Sequence, residues 1–144
     1  MINNLPKLIT IAPSHYCDKV RWGMKILNYE YTEESFPPIF HMIGTKKYQS
    51  RSVPLLVTED KIIKDSTDIL KYIDKNYNIL YPENKRQEVE ELEEIFDTKL
   101  GPHTRRFVYF HILTKPELIY EDFCDTSHQF YDSMFQTFFP FLKY

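Results

Sequence analysis

Glycine is scarce in this sequence: 3 of 144 residues, where an average chain carries about 7%. A large helical content and few tight turns are therefore expected. The glycines sit apart, at positions 23, 44 and 101, which excludes a glycine-rich loop that cradles phosphate. Cysteine is almost as rare. Cys17 and Cys124 are far apart and belong to no C-x-x-C pair or zinc spacing, so a reducing, cytoplasmic compartment is expected. The five histidines, at 15, 41, 103, 111 and 128, are scattered. His103 and His111 are too far apart for a helical metal pair, and no metal site is predicted. A basic surplus is missing too: 18 Lys+Arg stand against 21 Asp+Glu, a net charge of −3. That balance counts against nucleic acid as the partner. Apolar runs are a few residues long, far short of the ~18 that span a bilayer. No basic-then-apolar pattern opens the chain, so neither a membrane partner nor a secretory signal is expected.

What is present is globular in composition, with 42% hydrophobic and 27% charged residues. Aromatic residues are plentiful at 16% and crowd the C-terminal end. Lys7–Ala12 reads as a strand closed by Pro13. Ser14 then stands in an N-cap position. Val20, Met24 and Leu27 predict an amphipathic helix over about 15–27. The alternation Tyr29-Glu30-Tyr31-Thr32-Glu33 predicts a second strand, ended by Pro37-Pro38; residues 39–50 are ambiguous. Val53–Val57 reads as a third strand whose proline requires an edge position or a special turn. A hairpin leads to Lys61–Lys64. Asp65-Ser66 can cap a helix carrying Ile69, Leu70 and Ile73. Tyr77–Pro82 reads as a linker.

The style then changes. Residues 1–84 carry a net charge of +1 and residues 85–144 one of −4. Asn84 and Gln87 have the spacing of a capping box. Val89, Leu92, Phe96 and Leu100 mark one face of a helix, and Glu88, Glu90, Glu91, Glu93 and Glu94 read as its solvated side. Gly101-Pro102 is expected to break or kink that helix. A second helix is predicted over about 103–113. Lys115-Pro116 makes another break, and an aromatic helix follows, ending before Pro140.

Three local patterns then fall together. Ser14-His15-Tyr16-Cys17-Asp18-Lys19-Val20-Arg21, opening a helix after a strand, resembles the first βα turn of glutathione transferases. Val53-Pro54-Leu55-Leu56-Val57 resembles their strand led by a cis-proline. Asp65-Ser66-Thr67-Asp68-Ile69-Leu70-Lys71-Tyr72-Ile73 is similar to their acidic-Ser helix start. The resemblance is best over about 8–76. It implies an α/β thioredoxin-like domain of order β-α-β-α-β-β-α at 1–78, followed by a partial all-α domain at 83–144. That second domain is longer in the family, so the chain reads as carrying its opening helices only. The aromatics at 123–142 then form a face that a full bundle would cover.

The resemblance also implies a chemistry: detoxification by attack of glutathione, as co-substrate, on a small electrophile. The thiol must ionise first. A free thiol has a pKa of about 8.5, and lowering it by two units takes about 2.7 kcal/mol. A hydroxyl donor at the positive end of a helix can supply that. By resemblance Ser14 is the hydrogen-bond donor to the glutathione sulfur, with Tyr16 as a rival hydroxyl. Val53 and Pro54 present backbone groups to the peptide. Ser66 takes the γ-glutamyl carboxylate at a helix N-terminus, Asp65 faces the ammonium, and Arg51 pairs with the glycyl carboxylate. Arg105-Arg106 is read as serving the acidic second region. Cys17 holds the second position of a glutaredoxin-like run whose first cysteine is replaced, which leaves open a glutathione-dependent thiol reductase. A non-catalytic interaction module is the other alternative. A homodimer is possible by resemblance.

Overall fold

The structure is a computed structural model; it describes residues 5–115, 123, 124 and 126–142. The first part comprises β1 (Lys7–Ile11), α1 (His15–Ile26), β2 (Thr32–Phe36), α2 (His41–Lys46), β3 (Leu55–Val57), β4 (Ile62–Lys64) and α3 (Ser66–Asp74). A 3-10 turn (Glu83–Lys85), α4 (Arg86–Ile95), a π-helical stretch (Phe96–Leu100), α5 (Gly101–Thr114) and α6 (Gln129–Leu142) follow. The sheet runs β2-β1-β3-β4. β1 and β2 are parallel, a pairing that needs a crossover, and α1 provides it. The β1–β3 and β3–β4 pairs are antiparallel. This is the thioredoxin-like α/β arrangement, followed by a helical domain.

Successive strand residues point to opposite faces, and both faces are covered. Leu8 and Leu56 pack with Val20 and Met24 of α1 and Ile69 and Ile73 of α3. Ile9 and Leu55 pack on the other face with Phe36, Tyr48 and Tyr131. Two-sided burial explains why β1 reads as a nearly continuous apolar run.

Several expectations need correction. β2 begins at Thr32, not Tyr29. Tyr29 and Tyr31 pack against the core beneath the sheet, so their alternation with Glu30 reflects packing rather than strand pairing. β3 is a central strand, which overturns the edge position for Pro54 but not the special turn: Pro54 precedes the strand and the Val53–Pro54 peptide bond is cis, as the resemblance implied. Tyr77–Pro82 is no slack linker. The buried Asp74 carboxylate accepts hydrogen bonds from the Ile79 and Tyr81 N–H groups, both at 2.9 Å, and Tyr81 is in the core. No capping box forms at 84–87, since α4 starts at Arg86 without a side-chain cap. α6 continues through Pro140 to Leu142. The solvated reading holds for Glu88, Glu91 and Glu94, which are exposed. Glu93 instead lies within reach of Lys19 at 2.6 Å and accepts from the Tyr81 hydroxyl.

The Gly101-Pro102 pair does not end the helix. The Gly101 N–H reaches back to the Phe96 carbonyl, making a π turn. The next π partner would be Pro102 to Asp97, and proline has no N–H. The Asp97 carbonyl accepts the Tyr16 hydroxyl instead, at 2.9 Å. Gly101 is needed here: a Cβ would lie 2.6 Å from the Tyr16 oxygen and 3.1 Å from His15 Nε2.

Of the C-terminal aromatics, Phe123, Phe135 and Phe139 form a buried cluster with Phe40 and Cys124. Phe130 and Phe138 are exposed, as are Phe107 and Phe110 of α5. Pro116 and the terminal Lys143-Tyr144 lie outside the described residues. Among the described residues, no helix is long and apolar enough to cross a membrane.

Candidate functional site

Two clefts meet along the edge where the sheet's loops face α4 and α5. The first, about 360 Å³, is bounded by Pro13, Ser14 and Tyr16 at the β1–α1 turn, by Arg51–Val53, and by Thr104, Arg105 and Val108 of α5. The second, about 640 Å³, is bounded by Val53, Pro54 and Asp65–Asp68, with Glu94, Asp97 and Thr98 opposite. Tyr16, Ser52, Val53 and Arg105 border both. The two therefore form one groove. Ser14, Arg51, Val53, Pro54, Asp65 and Ser66, separated by up to 52 residues, all line it. A separate apolar hollow of about 470 Å³, lined by Trp22, Ile26, Leu92 and Phe96 among others, contains none of them.

Ser14 occupies the N-cap position of α1 with an extended backbone, yet its side chain makes no cap hydrogen bond. Its hydroxyl lies beside the Cys17 thiol instead. A thiol is a weak acceptor, so that hydroxyl can turn to a better one at small cost. Cys17 itself is fully buried and lines neither cleft. Burial pushes its thiol up, outweighing the hydrogen bonds from Ser14 and the Ile11 backbone. The reactive thiolate that a redox role needs is thus disfavoured. The rival Tyr16 hydroxyl is committed to Asp97.

The second helix N-terminus is built differently. Asp65 caps α3, its carboxylate accepting from the Thr67 N–H at 2.8 Å. Its backbone has φ 82° and ψ 139°, a conformation that is costly for any residue with a Cβ and that tends to gather at functional sites. The strained turn places the buried Ser66 at the first position of α3, on the wall of the groove. Arg51 is exposed, and its carbonyl oxygen lies 3.2 Å from His41 Nε2.

Sequence reasoning missed two parts of this region. One is Lys19, which bridges Glu93 and Asp97, both at 2.6 Å, and bonds the Thr67 hydroxyl at 3.0 Å. This cluster fastens α4 to α1 and α3 beside the groove. The other is Arg105, which stands over the Tyr16 ring at 5.4 Å and borders both clefts without an ion pair to a described acidic residue. No local spacing signals either, because each acts across more than 45 residues of chain. Among the described residues, no cluster of His, Cys, Asp and Glu could hold a metal ion.

The sequence model described as "Glutathione S-transferase, N-terminal domain" matches residues 8–87. The chain belongs to the glutathione S-transferase family. It is 32% identical over 74 residues to glutathione S-transferase U2 of Arabidopsis thaliana, covering 50% of this chain and 33% of that protein. A possible glutathione transferase from Rhodopseudomonas palustris superposes with a TM-score of 0.64 at 24% identity, over 74% of this chain and 57% of that one. A glutathione transferase homolog from Drosophila mojavensis, solved with bound glutathione, gives a TM-score of 0.63 at 24% identity, over 76% and 54%. The tau-class transferase of mango gives 0.60 at 19% identity, over 83% and 62%. The chain thus spans about a third of its curated transferase relative and little more than half of these transferase structures.

Proposed function

We propose that this chain binds glutathione along the groove and promotes attack of its thiolate on a small electrophile. The observation that carries this reading is the meeting of two helix N-termini, Ser14 on α1 and Ser66 on α3, on one groove with the Val53–Pro54 turn between them. Ser66 and the start of α3 receive the γ-glutamyl carboxylate, where the helix dipole favours an anion. Asp65 faces the ammonium. The Val53 backbone pairs with the peptide, and Arg51 takes the glycyl carboxylate. The sulfur then lies toward Ser14, whose hydroxyl donates to the thiolate. The nucleophile belongs to glutathione, so the protein supplies position and electrostatics. Its two unpaired cysteines fit a reducing, cytoplasmic setting.

A thiol reductase acting through Cys17 is not favoured, since that thiol is buried away from the groove. Calorimetry with glutathione tests the reading, with Ser66→Ala as control. Micromolar to low-millimolar binding weakened by the control is the expected result. No binding by a folded sample overturns it.

A further inference from the structure

The first cleft carries two cations, of which the glutathione reading uses one. Its cations are Arg51 and Arg105, and neither is ion-paired among the described residues. Asp18 lines the same cleft but is paired with Arg21 at 2.6 Å. Across the second cleft, Asp97 is held by Lys19, and Glu94 is not within ion-pair distance of Arg105. His15 and His41 also line the first cleft. Burial lowers both below the usual imidazole range, so they stay neutral near pH 7.

Glutathione bound for reaction brings two carboxylates, a thiolate and one ammonium. The proposed function matches these to Ser66, Arg51, Ser14 and Asp65, and Arg105 is left over. It borders the first cleft with Arg51 and the second with Asp65 and Ser66, but from the opposite wall. It rises from α5, on the wall facing Ser14, and is fixed over the Tyr16 ring. Val108 and Tyr109 extend that wall as an apolar surface. A guanidinium beside an apolar wall suits a ligand with an apolar body and one planar anion.

We propose that Arg105 binds an anionic group of the electrophile, so that the preferred co-substrates are small apolar electrophiles bearing a carboxylate. This rests on the glutathione reading above and names the substrate class for the same site.

The test compares 4-chloro-3-nitrobenzoate with its neutral analogue, 4-chloro-3-nitrobenzamide. In both, the glutathione thiolate attacks the ring carbon bearing chlorine. A C–S bond forms, the C–Cl bond breaks, chloride leaves and the thiol proton goes to solvent. Each kcat/KM is divided by the uncatalysed rate, which removes the different ring activation. The wild-type chain is expected to prefer the carboxylate about tenfold, a gain the size of one charge-assisted hydrogen bond. Arg105→Gln should erase that preference and Arg105→Lys restore part of it. A structural loss would lower both substrates together and leave the ratio unchanged. No preference in the wild type, or a ratio unmoved by Arg105→Gln, overturns the proposal. Binding of 4-chloro-3-nitrobenzoate without glutathione, measured by calorimetry, separates the two readings. Binding lost in Arg105→Gln upholds the anion site even where glutathione fails to bind. Absence of that binding in a chain that does bind glutathione counts against Arg105 alone.

Discussion

The Tyr16 hydroxyl donates to the Asp97 carbonyl at 2.9 Å, joining the first turn of α1 to the one carbonyl that the Gly101-Pro102 sequence strips of its helical donor. The π turn diverts the Gly101 N–H to Phe96, and Pro102 has none to give. Removing the hydroxyl should leave that carbonyl without its protein partner. Tyr16→Phe is therefore expected to cost about 1 kcal/mol of stability. Glutathione binding should persist. Urea unfolding and calorimetry on the same samples check both halves.

Ser14→Ala should separate chemistry from folding. The side chain makes no cap bond, so the usual loss of about 1 kcal/mol for a removed cap should be largely absent. A hydrogen bond to a charged group is worth about 1.5–3 kcal/mol. Its loss should raise the pKa of the bound thiol by about one to two units, at 1.36 kcal/mol each. Thiolate absorbance titrated against pH reads the shift directly. An unchanged titration would move the sulfur away from Ser14.

Asp65→Gly sets strain against binding. Glycine adopts φ 82° freely, which relieves a cost of about 1–3 kcal/mol. It also removes the cap to Thr67, but Gly at an N-cap loses only a few tenths of a kcal/mol, roughly. Net stabilisation is expected, with weaker glutathione binding from the missing carboxylate. A rise in Tm together with a higher Kd is the predicted signature.

Cys17 should be chemically silent. It is fully buried, and burial raises its thiol. Timed alkylation followed by peptide mapping should label the part-exposed Cys124 first. Cys17→Ala should leave turnover with an electrophile in place. Loss of turnover in a folded Cys17→Ala sample would revive the reductase.

Glu34 ties the edge strand β2 to Lys7 and His128. Burial alone would raise its carboxyl, but Lys7 at 3.2 Å and His128 at 3.0 Å outweigh that and hold it below the usual value. A carboxyl lowered in the fold adds stability above its ordinary range, and that stability is lost as pH falls through the folded value. The urea midpoint should therefore drop on acidification through the carboxylate range. Glu34→Gln should flatten that limb and leave the shape of the neutral region unchanged. The effect is modest, because the pair is partly exposed.

Local chemistry made much of the fold legible. The Lys7–Ile11 strand, the Val20–Met24–Leu27 stripe of α1 and the Asp65 cap of α3 are set by residues within one or two turns of each other. The β2 boundary was not legible, because Tyr29 and Tyr31 alternate for contacts with a core that the sequence does not display. That Gly101-Pro102 does not break the helix was not legible for a similar reason: the donor that satisfies its spare carbonyl comes from Tyr16, 81 residues away.

The candidate site divides along the same line. The residue types and their local turns are written in the chain: a serine opening one helix, an acid and a serine opening another, a proline between. That they share one groove, that Cys17 is turned away from it, and that Arg105 reaches it from α5 were decided only by tertiary packing. Hydrogen-bonded turns and helical stripes are short-range and leave their mark in neighbouring residues. Burial and charge pairing depend on which surfaces meet, and the chain brings those surfaces together only when the sheet and helices close on one another.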